Sequence, residues 1–337
     1  MTPSSQIGQT TRPLISIAIV TYQCASFVDR CIAPLYATGP GQSEIIVVDN
    51  ASSDGIVDHI RTHYPKVNII ASPENLGFSK GINLALRLCT GQYVLLLNPD
   101  AFPSVESVYS LAAYLGANAD VAAVGPQLLY IDGSHQVGDA GWRASLFNVF
   151  AHSFLLHRLW SRIPTIHLSH PSLLHRRSVD VDWVSGCCLM TRREVIEEIG
   201  GLDERIFMYG EDMEWGERMR EAGYRVVYLP QIKVLHLGSG SQGSEGNRFF
   251  EPRWMDNVAG RFAVSRSRPI YALVRILLVF GFSSRAFILA LAGALTGRAI
   301  LHRRAELMRK YAAHALGLPS FHASKKTPSG TPADQSG

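Results

Sequence analysis

The chain has 337 residues, of which 47% are hydrophobic and 18% are charged, and its mean hydropathy is slightly positive at +0.07. This composition excludes an intrinsically disordered protein, because it supplies enough apolar surface for one large core or two smaller ones. The net charge of +4 is uneven, since residues 253–310 contain eleven Arg and Lys but only two acids, Asp256 and Glu306.

Short apolar runs alternate with helix-like segments over the first hundred residues. Predicted strands cover residues 14–20, 44–48, 67–71 and 93–97, and helices are predicted near Ser26, after Gly55 and from Ser79. Strands and helices that alternate at this spacing are typical of βαβ units. The predicted fold class is therefore α/β, with a doubly wound and mostly parallel sheet.

The run at residues 93–97 predicts a central strand. Its five residues are apolar or aromatic without alternation, which indicates burial on both faces of a sheet, and Pro99 cannot continue a ladder. Asp100 is therefore predicted at the carboxyl edge of the sheet, where open α/β folds bind ligands. A carboxylate there suits a hard cation that neutralises a diphosphate. The same tripeptide, Asn98–Pro99–Asp100, also fits an ordinary turn in which Asp100 caps the next helix.

The other predicted strands of this region also end in polar residues. Right-handed crossovers bring such ends to one edge of a sheet, so Thr21, Asp49 and Asn75 are expected near one another. Asp49 suits a hydrogen bond to a ribose or a base, although Asp49–Asn50 also fits the start of a turn. No G-x-G-x-x-G follows the first strand and no P-loop motif is present, which disfavours a dinucleotide dehydrogenase and a P-loop NTPase.

The second half is predicted to contain helices at residues 104–116 and 193–199 and strands at 121–125, 181–190 and 226–230. Three acids, Glu211, Asp212 and Glu214, lie within four positions at a predicted helix start. The helix dipole favours acids there, but one of them also suits a general base that takes a proton from an attacking hydroxyl. His236 follows an apolar run and precedes a Gly/Ser loop at 238–246. It fits a metal or phosphate ligand as well as a structural histidine.

The five cysteines and residues 1–13 give expectations about the compartment, and the C-terminal tail gives one about disorder. The cysteines show no metal-type spacing, which predicts reduced thiols in a cytosol-like compartment. Residues 1–13 lack an apolar h-region, so no secretory signal is predicted there. The tail from residue 323 is rich in Ser, Thr, Pro, Lys and Gly, and it is predicted to be disordered.

Residues 270–296 contain two apolar stretches that are interrupted at Ser283–Ser284–Arg285. Each stretch is too short to span a bilayer, which needs about 20 residues, and joining them would place Arg275 and Arg285 in hydrocarbon. The basic, apolar pattern favours helices that lie on an anionic membrane surface. Core helices and a single membrane span are the alternatives. Nucleic-acid binding is disfavoured, because few aromatic residues interleave the basic run.

Seven pieces of the sequence resemble, in the same order, the inverting glycosyltransferases of family 2, which have the GT-A fold. The resemblance covers roughly residues 14–240, and it is greatest for the rhamnosyltransferase branch. The pieces are Thr21–Tyr22, Val48–Gly55, Asn75–Phe78, Leu97–Asp100, Trp183–Gly186, Phe207–Arg218 and His236.

The resemblance implies roles for particular residues. Asp212 matches the catalytic base with Glu211 beside it, Asp100 matches the metal-binding acid of the D-x-D motif, and His236 matches a position that helps to hold the metal or the diphosphate. The first acid of that motif is Asn98 here, which leaves metal binding to Asp100 and the phosphates. Implied nucleotide-sugar contacts are Thr21, Tyr22, Asp49, Asn50, Asp54, Asn75, Gly77, Lys80, Asn98 and Asp100, and implied acceptor contacts are Trp183 and Gly186.

The resemblance also implies a reaction, the transfer of a sugar from a nucleotide donor to a hydroxyl of a lipid-linked or polysaccharide acceptor in cell-envelope glycan synthesis. The implied donor is dTDP-rhamnose, which would supply L-rhamnose, or a UDP-sugar. A divalent metal, Mg²⁺ or Mn²⁺, is expected, as is a cytoplasmic location on the inner face of the plasma membrane, with no nucleic-acid partner. The predicted domains are a flexible start (1–13), a nucleotide-sugar half (14–125), an acceptor and catalytic half (126–246), a basic helical extension (247–320) and a disordered tail (321–337). The rival hypotheses are a non-catalytic nucleotide-sugar-binding scaffold and a nucleotidyltransferase, the latter disfavoured because no Gly-rich, Lys-containing loop follows the first strand.

Overall fold

The computed structural model describes residues 14–37, 42–156, 160, 163–168, 170–238, 254–256, 258–259, 262 and 268–317. The chain divides into two compact units. The sheet unit comprises Met1–Arg143 and His157–Arg248, and the helical unit comprises Ala144–Leu156 and Phe249–Gly337. The predictions for the N-terminal start, the Gly/Ser loop beyond residue 238 and the C-terminal tail fall outside the described residues.

Strands of the described residues form a central mixed sheet in the sheet unit. Its order is β3-β2-β1-β4-β10-β6-β11-β5, with β8 paired to β11, and β7 and β9 form a separate pair. The strands are β1 Ile15–Thr21, β2 Ser43–Asn50, β3 Asn68–Ser72, β4 Tyr93–Leu97, β5 Ala101–Phe102, β6 Val121–Leu129, β7 Ala140–Gly141, β8 Val179–Val181, β9 Trp183–Val184, β10 Cys188–Arg192 and β11 Arg225–His236.

Helices connect these strands and build the helical unit. In the sheet unit they are α1 Val28–Tyr36, α2 Ile56–His63, α3 Phe78–Leu86, α4 Val105–Ala117, a 3₁₀ helix Pro171–His175, α6 Arg193–Ile199 and α7 Glu211–Glu221. In the helical unit they are α5 Leu146–Ser153, α8 Arg268–Thr296 and α9 Ala299–Leu316.

The α/β prediction is confirmed. Strands β3, β2, β1, β4, β6 and β11 run in one direction, and β5, β8 and β10 run in the other. All five residues of β4 are buried, as the unbroken apolar run predicts, because apolar clusters cover both faces of the sheet. The carboxyl ends of β1, β2 and β4 consequently meet at one edge.

The predicted extents of two strands are wrong. The predicted strand at 181–190 is divided among β8, β9 and β10, because residues 185–187 leave the ladder and make hydrogen bonds at the carboxyl edge, where Asn98 N donates to Cys187 O. Conversely, β11 continues past Pro230 to His236. Its register with β6 shifts between Leu229 and Lys233, so the N–H that Pro230 lacks is not needed by the ladder.

The two apolar stretches of residues 270–296 belong to one continuous helix, since α8 has 29 residues. Ser284 Oγ donates to the Gly281 carbonyl 2.9 Å away inside the helix, so this serine is accommodated without a break. Helices α5 and α9 pack against α8. Among the described residues, α8 is the one helix that is long and apolar enough to cross a membrane, by length and composition alone, a test that the core helix of a soluble protein also passes.

Candidate functional site

The ends of β1 and β2 form one side of the site. Thr21 pairs with Asp49 in the parallel register, and Thr21 Oγ1 donates to Asp49 Oδ1 over 2.9 Å. Asp49, only 1% exposed, also accepts hydrogen bonds from the Ser52 backbone N–H at 2.9 Å and from the Ser52 hydroxyl at 2.6 Å. These three donors fix the carboxylate at the sheet edge. Its contact with a nucleoside stays a prediction.

The loops that follow β1 and β2 are tied together by hydrogen bonds. Asp54 Oδ2 accepts from the Ala25 backbone N–H at 2.8 Å, and Ser52 Oγ accepts from the Gln23 N–H at 2.9 Å. The Tyr22 side chain is 40% exposed beside them. The structure therefore brings Tyr22 and Asp54 to the edge that Thr21 and Asp49 occupy.

Gly77 joins the loop after β3 to the loop before α7. Its carbonyl accepts from Asn50 Nδ2 at 3.0 Å, and its N–H donates to Asn75 Oδ1 at 3.0 Å. Gly77 has φ +82°, and a Cβ there would lie 2.6 Å from a ring carbon of Phe207 and 2.7 Å from the Phe207 carbonyl oxygen. Phe78 N also donates to that oxygen at 2.8 Å. Only glycine permits so close an approach.

Asp212 is the second residue of α7, and its carboxylate is held by backbone donors. Oδ2 accepts from the Gly186 N–H at 3.2 Å and Oδ1 from the Met213 N–H at 2.8 Å. A Cβ on Gly186 would lie 3.3 Å from the Phe78 ring and 3.9 Å from Asp212 Cβ. The glycine of the 185–187 turn, the aromatic ring that begins α3 and the carboxylate of α7 are therefore neighbours.

The two acids at the start of α7 differ in their surroundings. Burial raises the pKa of Glu211, and the charge of the adjacent Asp212 raises it further. Burial also raises the pKa of Asp212, but the N–H donors of Gly186 and Met213 lower it and so oppose this shift. Glu211 is 6% exposed, and its Oε2 lacks a hydrogen-bond partner among the described residues. Because burial and the Asp212 charge raise the pKa of Glu211 while the N–H groups of Gly186 and Met213 stabilise the Asp212 carboxylate, we assign the negative charge of the pair to Asp212 and the proton to Glu211.

Asp100 and His236 form a pair at the end of β4. Asp100 directly precedes β5, and in the β5–β11 ladder Ala101 pairs with His236. His236 Nε2 lies 3.1 Å from Asp100 Oδ1. Two ligands of one octahedral cation lie roughly 3 Å apart, since each is about 2.1 Å from the metal. The pair therefore fits a shared divalent cation. The structure describes no cluster of three or more His, Cys, Asp or Glu that would hold a metal, so the remaining ligands would come from a substrate or water.

The turn at Asn98–Pro99–Asp100 does not cap the next helix. Ser104 is the N-cap of α4, and its side chain accepts from the Ser107 N–H. The Asn98 carbonyl accepts from Ala101 N at 3.1 Å, which closes the turn, and the Asn98 side chain is half-buried. Ser104, and not Asp100, therefore caps α4.

Three further predicted residues lie in different settings. Lys80 is exposed on α3, and Gly186 is at the site as described. Trp183 is 3% exposed, and it packs against the His167 ring with centroids 5.7 Å apart. Such burial favours a supporting role under the site, and direct acceptor contact stays a prediction.

Sequence reasoning missed Gln136 and Asp139. His236 Nδ1 lies 2.8 Å from Gln136 Oε1, and buried Asp139 anchors the loop that carries Gln136. Both residues belong to a stretch without helix or strand periodicity. The short turn signal Asp132–Gly133 was the one local indication of an ordered hairpin.

Comparisons with known proteins place the chain in a family. The site combines a polar carboxyl edge on an α/β sheet, a carboxylate–histidine pair and a buried carboxylate. Residues 16–200 match the family described as Glycosyl transferase family 2. The match covers more than half of the chain, and the chain belongs to this family. It is a glycosyltransferase.

Two curated relatives are rhamnosyltransferases. The chain is 28% identical over 243 residues to N-acetylglucosaminyl-diphospho-decaprenol L-rhamnosyltransferase of Mycobacterium tuberculosis, covering 69% of this chain and 78% of the relative. It is 24% identical over 249 residues to the rhamnosyltransferase WbbL of Escherichia coli, covering 72% of this chain and 89% of the relative. The mannosyltransferase PcManGT of Pyrobaculum calidifontis, solved with GDP-Man and Mn²⁺, superposes with a TM-score of 0.57 at 18% identity, covering 90% of this chain and 87% of that chain. This supports the GT-A fold.

Proposed function

We propose that this glycosyltransferase moves a sugar with inversion from a nucleotide donor to an acceptor hydroxyl, with Asp212 as the general base. The observation that carries the proposal is the Asp212 carboxylate, which accepts hydrogen bonds from the N–H groups of Gly186 and Met213 and lies beside the buried Glu211. A base with a pKa raised toward neutrality is suited to taking a proton from a hydroxyl.

The proposed chemistry is a single displacement. Asp212 takes the acceptor proton while the acceptor oxygen forms a bond to the anomeric carbon. The bond between that carbon and the diphosphate oxygen breaks on the opposite face, so the electron pair leaves with the nucleoside diphosphate. Asp100 and His236 would hold a divalent cation, and the chemistry that such an ion supplies is neutralisation of the leaving diphosphate. Asp49, Thr21 and the loop of Asn75 and Gly77 would bind the nucleoside and the sugar.

The proposed donor is dTDP-L-rhamnose, and the proposed acceptor is a lipid-linked or polysaccharide glycan of the cell envelope. Support comes from the two rhamnosyltransferase relatives, one of which is named for a diphospho-decaprenol acceptor. The Asn-Pro-Asp form of the D-x-D motif also resembles that branch. A UDP-sugar donor is the close variant.

We further propose that the helical unit binds an anionic membrane surface from the cytoplasmic side. One side of α8 exposes large apolar residues at intervals of three to seven, and they form a stripe along the helix: Leu273, Ile276, Phe280, Phe287, Leu291 and Leu295. Arg275 instead donates to the Leu316 carbonyl of α9, and Arg285 lies over the Phe282 ring. Neither arginine side chain interrupts the stripe, and exposed Arg and Lys on α9 supply basic charge.

The first test is a transfer assay with purified protein. It uses labelled dTDP-rhamnose, UDP-sugars and GDP-sugars with a bacterial lipid extract, in Mn²⁺ or Mg²⁺ and again in EDTA. Transfer from one donor into the lipid fraction, lost in EDTA, is expected. Transfer that persists fully in EDTA would contradict the metal role of Asp100 and His236.

The same assay separates transfer from the scaffold alternative. Wild type and Asp58→Asn, which alters an exposed acid of α2, should both transfer and slowly hydrolyse the bound donor. A wild-type protein that binds one donor tightly but neither transfers nor hydrolyses it would favour the non-catalytic scaffold.

The membrane proposal has its own test. The protein should sediment with phosphatidylglycerol vesicles more than with phosphatidylcholine vesicles, and binding should weaken at high salt. Phe280→Glu should reduce binding, whereas Phe147→Glu, which alters an exposed phenylalanine of α5, should not. Resistance to alkaline carbonate extraction would indicate a span, and absence of vesicle binding would refute the proposal.

A further inference from the structure

Gln136 makes a specific contact with the proposed metal ligand His236. Its Oε1 lies 2.8 Å from His236 Nδ1, while Nε2 of the same ring faces Asp100 Oδ1 at 3.1 Å. An imidazole that ligates a metal through Nε2 must carry its proton on Nδ1, and it needs an acceptor for that proton. The Gln136 carbonyl oxygen is placed to be that acceptor.

The loop that carries Gln136 is rigidly tied to the sheet. Gln136 N donates to the Leu128 carbonyl at 2.9 Å, and Leu129 forms a bridge with His135. Neighbouring His135 is 3.0 Å from Asp139 Oδ2 through its Nε2. A side chain on such a loop loses little entropy when it orients a partner.

Asp139 is the anchor of this loop, since it is 1% exposed and gathers donors from three segments. Besides His135, its Oδ2 accepts from the Leu128 backbone N–H at 3.1 Å and from the Tyr228 hydroxyl at 2.6 Å. Tyr228 lies on β11, the strand that ends at His236. The loop and the histidine are therefore attached to the same strand.

Gly238 provides room for the amide on the other side. It has φ +76°, and a Cβ there would lie 2.7 Å from Gln136 Nε2. Gln136 is consequently held between His236 and the turn that follows it. Gln136 itself lies outside every motif of the resemblance described above.

We propose that Gln136 is a positioning residue for the metal site: its carbonyl oxygen accepts the Nδ1 proton of His236 and so directs the Nε2 lone pair toward the cation shared with Asp100. The inference rests on the metal role proposed for Asp100 and His236. If the amide were instead turned to donate to Nδ1, the proton would lie on Nε2 and would oppose metal binding.

The test measures metal binding rather than transfer. Mn²⁺ is titrated into the full chain with dTDP, UDP or GDP, and its affinity is followed by EPR. Gln136→Leu is expected to weaken Mn²⁺ binding 10- to 100-fold, about the loss seen for partners that orient metal ligands. Gln136→Glu retains an acceptor and should bind at least as tightly as wild type. Gln92→Leu, the same change at the amino end of β4, should have no effect.

A second readout reports the ligand itself. Pulsed EPR of bound Mn²⁺ detects coupling to a histidine nitrogen, which should be present in wild type and in Gln136→Glu but reduced in Gln136→Leu. Thermal unfolding of each variant checks that the chain is folded. Undiminished affinity and nitrogen coupling in Gln136→Leu would overturn the proposal, and so would equal losses in the Leu and Glu variants.

These outcomes are separable from those of the proposed function. A wild-type protein that binds Mn²⁺ through a nitrogen but transfers no sugar would contradict the proposed reaction and leave the Gln136 role intact. A wild-type protein that binds no Mn²⁺ with any of the three nucleotides would overturn the positioning role, whatever its transfer activity.

Discussion

Replacement of Asp212 by Asn is the sharpest perturbation of the site. An amide is nearly the same size as the carboxylate, but it cannot take a proton from the acceptor. General-base catalysis contributes about 10²- to 10⁴-fold to a rate, so the transfer rate should fall by that factor, which corresponds to roughly 2.7–5.5 kcal/mol in the barrier.

The structure indicates that this variant remains folded. Asparagine offers one acceptor oxygen, so one of the two N–H groups, of Gly186 or Met213, loses its partner. A hydrogen bond to a charged acceptor contributes about 1.5–3 kcal/mol. The raised pKa of Asp212 means that the ionised carboxylate is itself disfavoured by burial, at about 1.4 kcal/mol per pKa unit. The two effects oppose each other, and the net change in the free energy of unfolding should be small.

The assay compares transfer, donor affinity and thermal unfolding of wild type, Asp212→Asn and Asp58→Asn. Donor affinity should be nearly unchanged in Asp212→Asn, because the carboxylate acts on the acceptor hydroxyl. Full transfer activity in this variant would refute the assignment of the base. Loss of donor binding would also refute it, since Asp212 would then belong to the donor site.

Other perturbations test the surroundings of the site. Burial raises the pKa of Glu211, so the folded state binds more protons than the unfolded state, and stability falls as pH rises above the ordinary glutamate range. Glu211→Gln should remove this pH dependence, whose slope is up to about 1.4 kcal/mol per pH unit. A slope that calorimetry finds unchanged in this variant would contradict the protonated state. Gly77→Ala should lower stability by about 1–2 kcal/mol and weaken donor binding, because the added Cβ would meet the Phe207 backbone. Gly133→Ala is the control, since Gly133 has a similar φ of +78° but a Cβ there would have no atom within 4 Å. Equal effects of the two variants on donor affinity would argue against a role for the Phe207 contact. Arg192→Met should lower the free energy of unfolding in denaturant by about 2–4 kcal/mol, since Arg192 donates to three carbonyls near the end of α4. Arg193→Met, which alters a surface ion pair, should lower it little. Similar unfolding midpoints for the two variants would show that the Arg192 hydrogen bonds are not stabilising.

Local patterns in the sequence were sufficient for the first half of the sheet. The unbroken run of β4 and the proline after it identified a buried strand and its end, and the strands before it followed the same rule. Strand periodicity and proline chemistry act over a few residues, so they can be identified in the sequence alone. The sequence also drew attention to Asp100 at a strand end and to three acids at the start of α7, and the family resemblance selected Asp212 among those three.

Tertiary contacts decided the features that depend on residues far apart in the chain. The division of charge between Glu211 and Asp212 depends on the N–H of Gly186, which no local pattern around α7 indicates. The contact of Gly77 with Phe207 joins residues 130 positions apart in sequence, and Gln136 meets His236 across 100 positions.

Where strands and helices break or continue also depended on tertiary contacts. Residues 185–187 leave the sheet to meet the site. Helix α8 continues through residues 283–285, where Ser284 Oγ donates to the Gly281 carbonyl and Arg285 lies over the Phe282 ring. By itself the sequence determined the α/β fold, the acids and the basic apolar segment, since local periodicity and residue type encode them. Only the tertiary structure decided which acid of the pair carries the proton, which N–H groups aim a carboxylate and which apolar face of α8 is exposed, because those depend on burial and on partners distant in the chain.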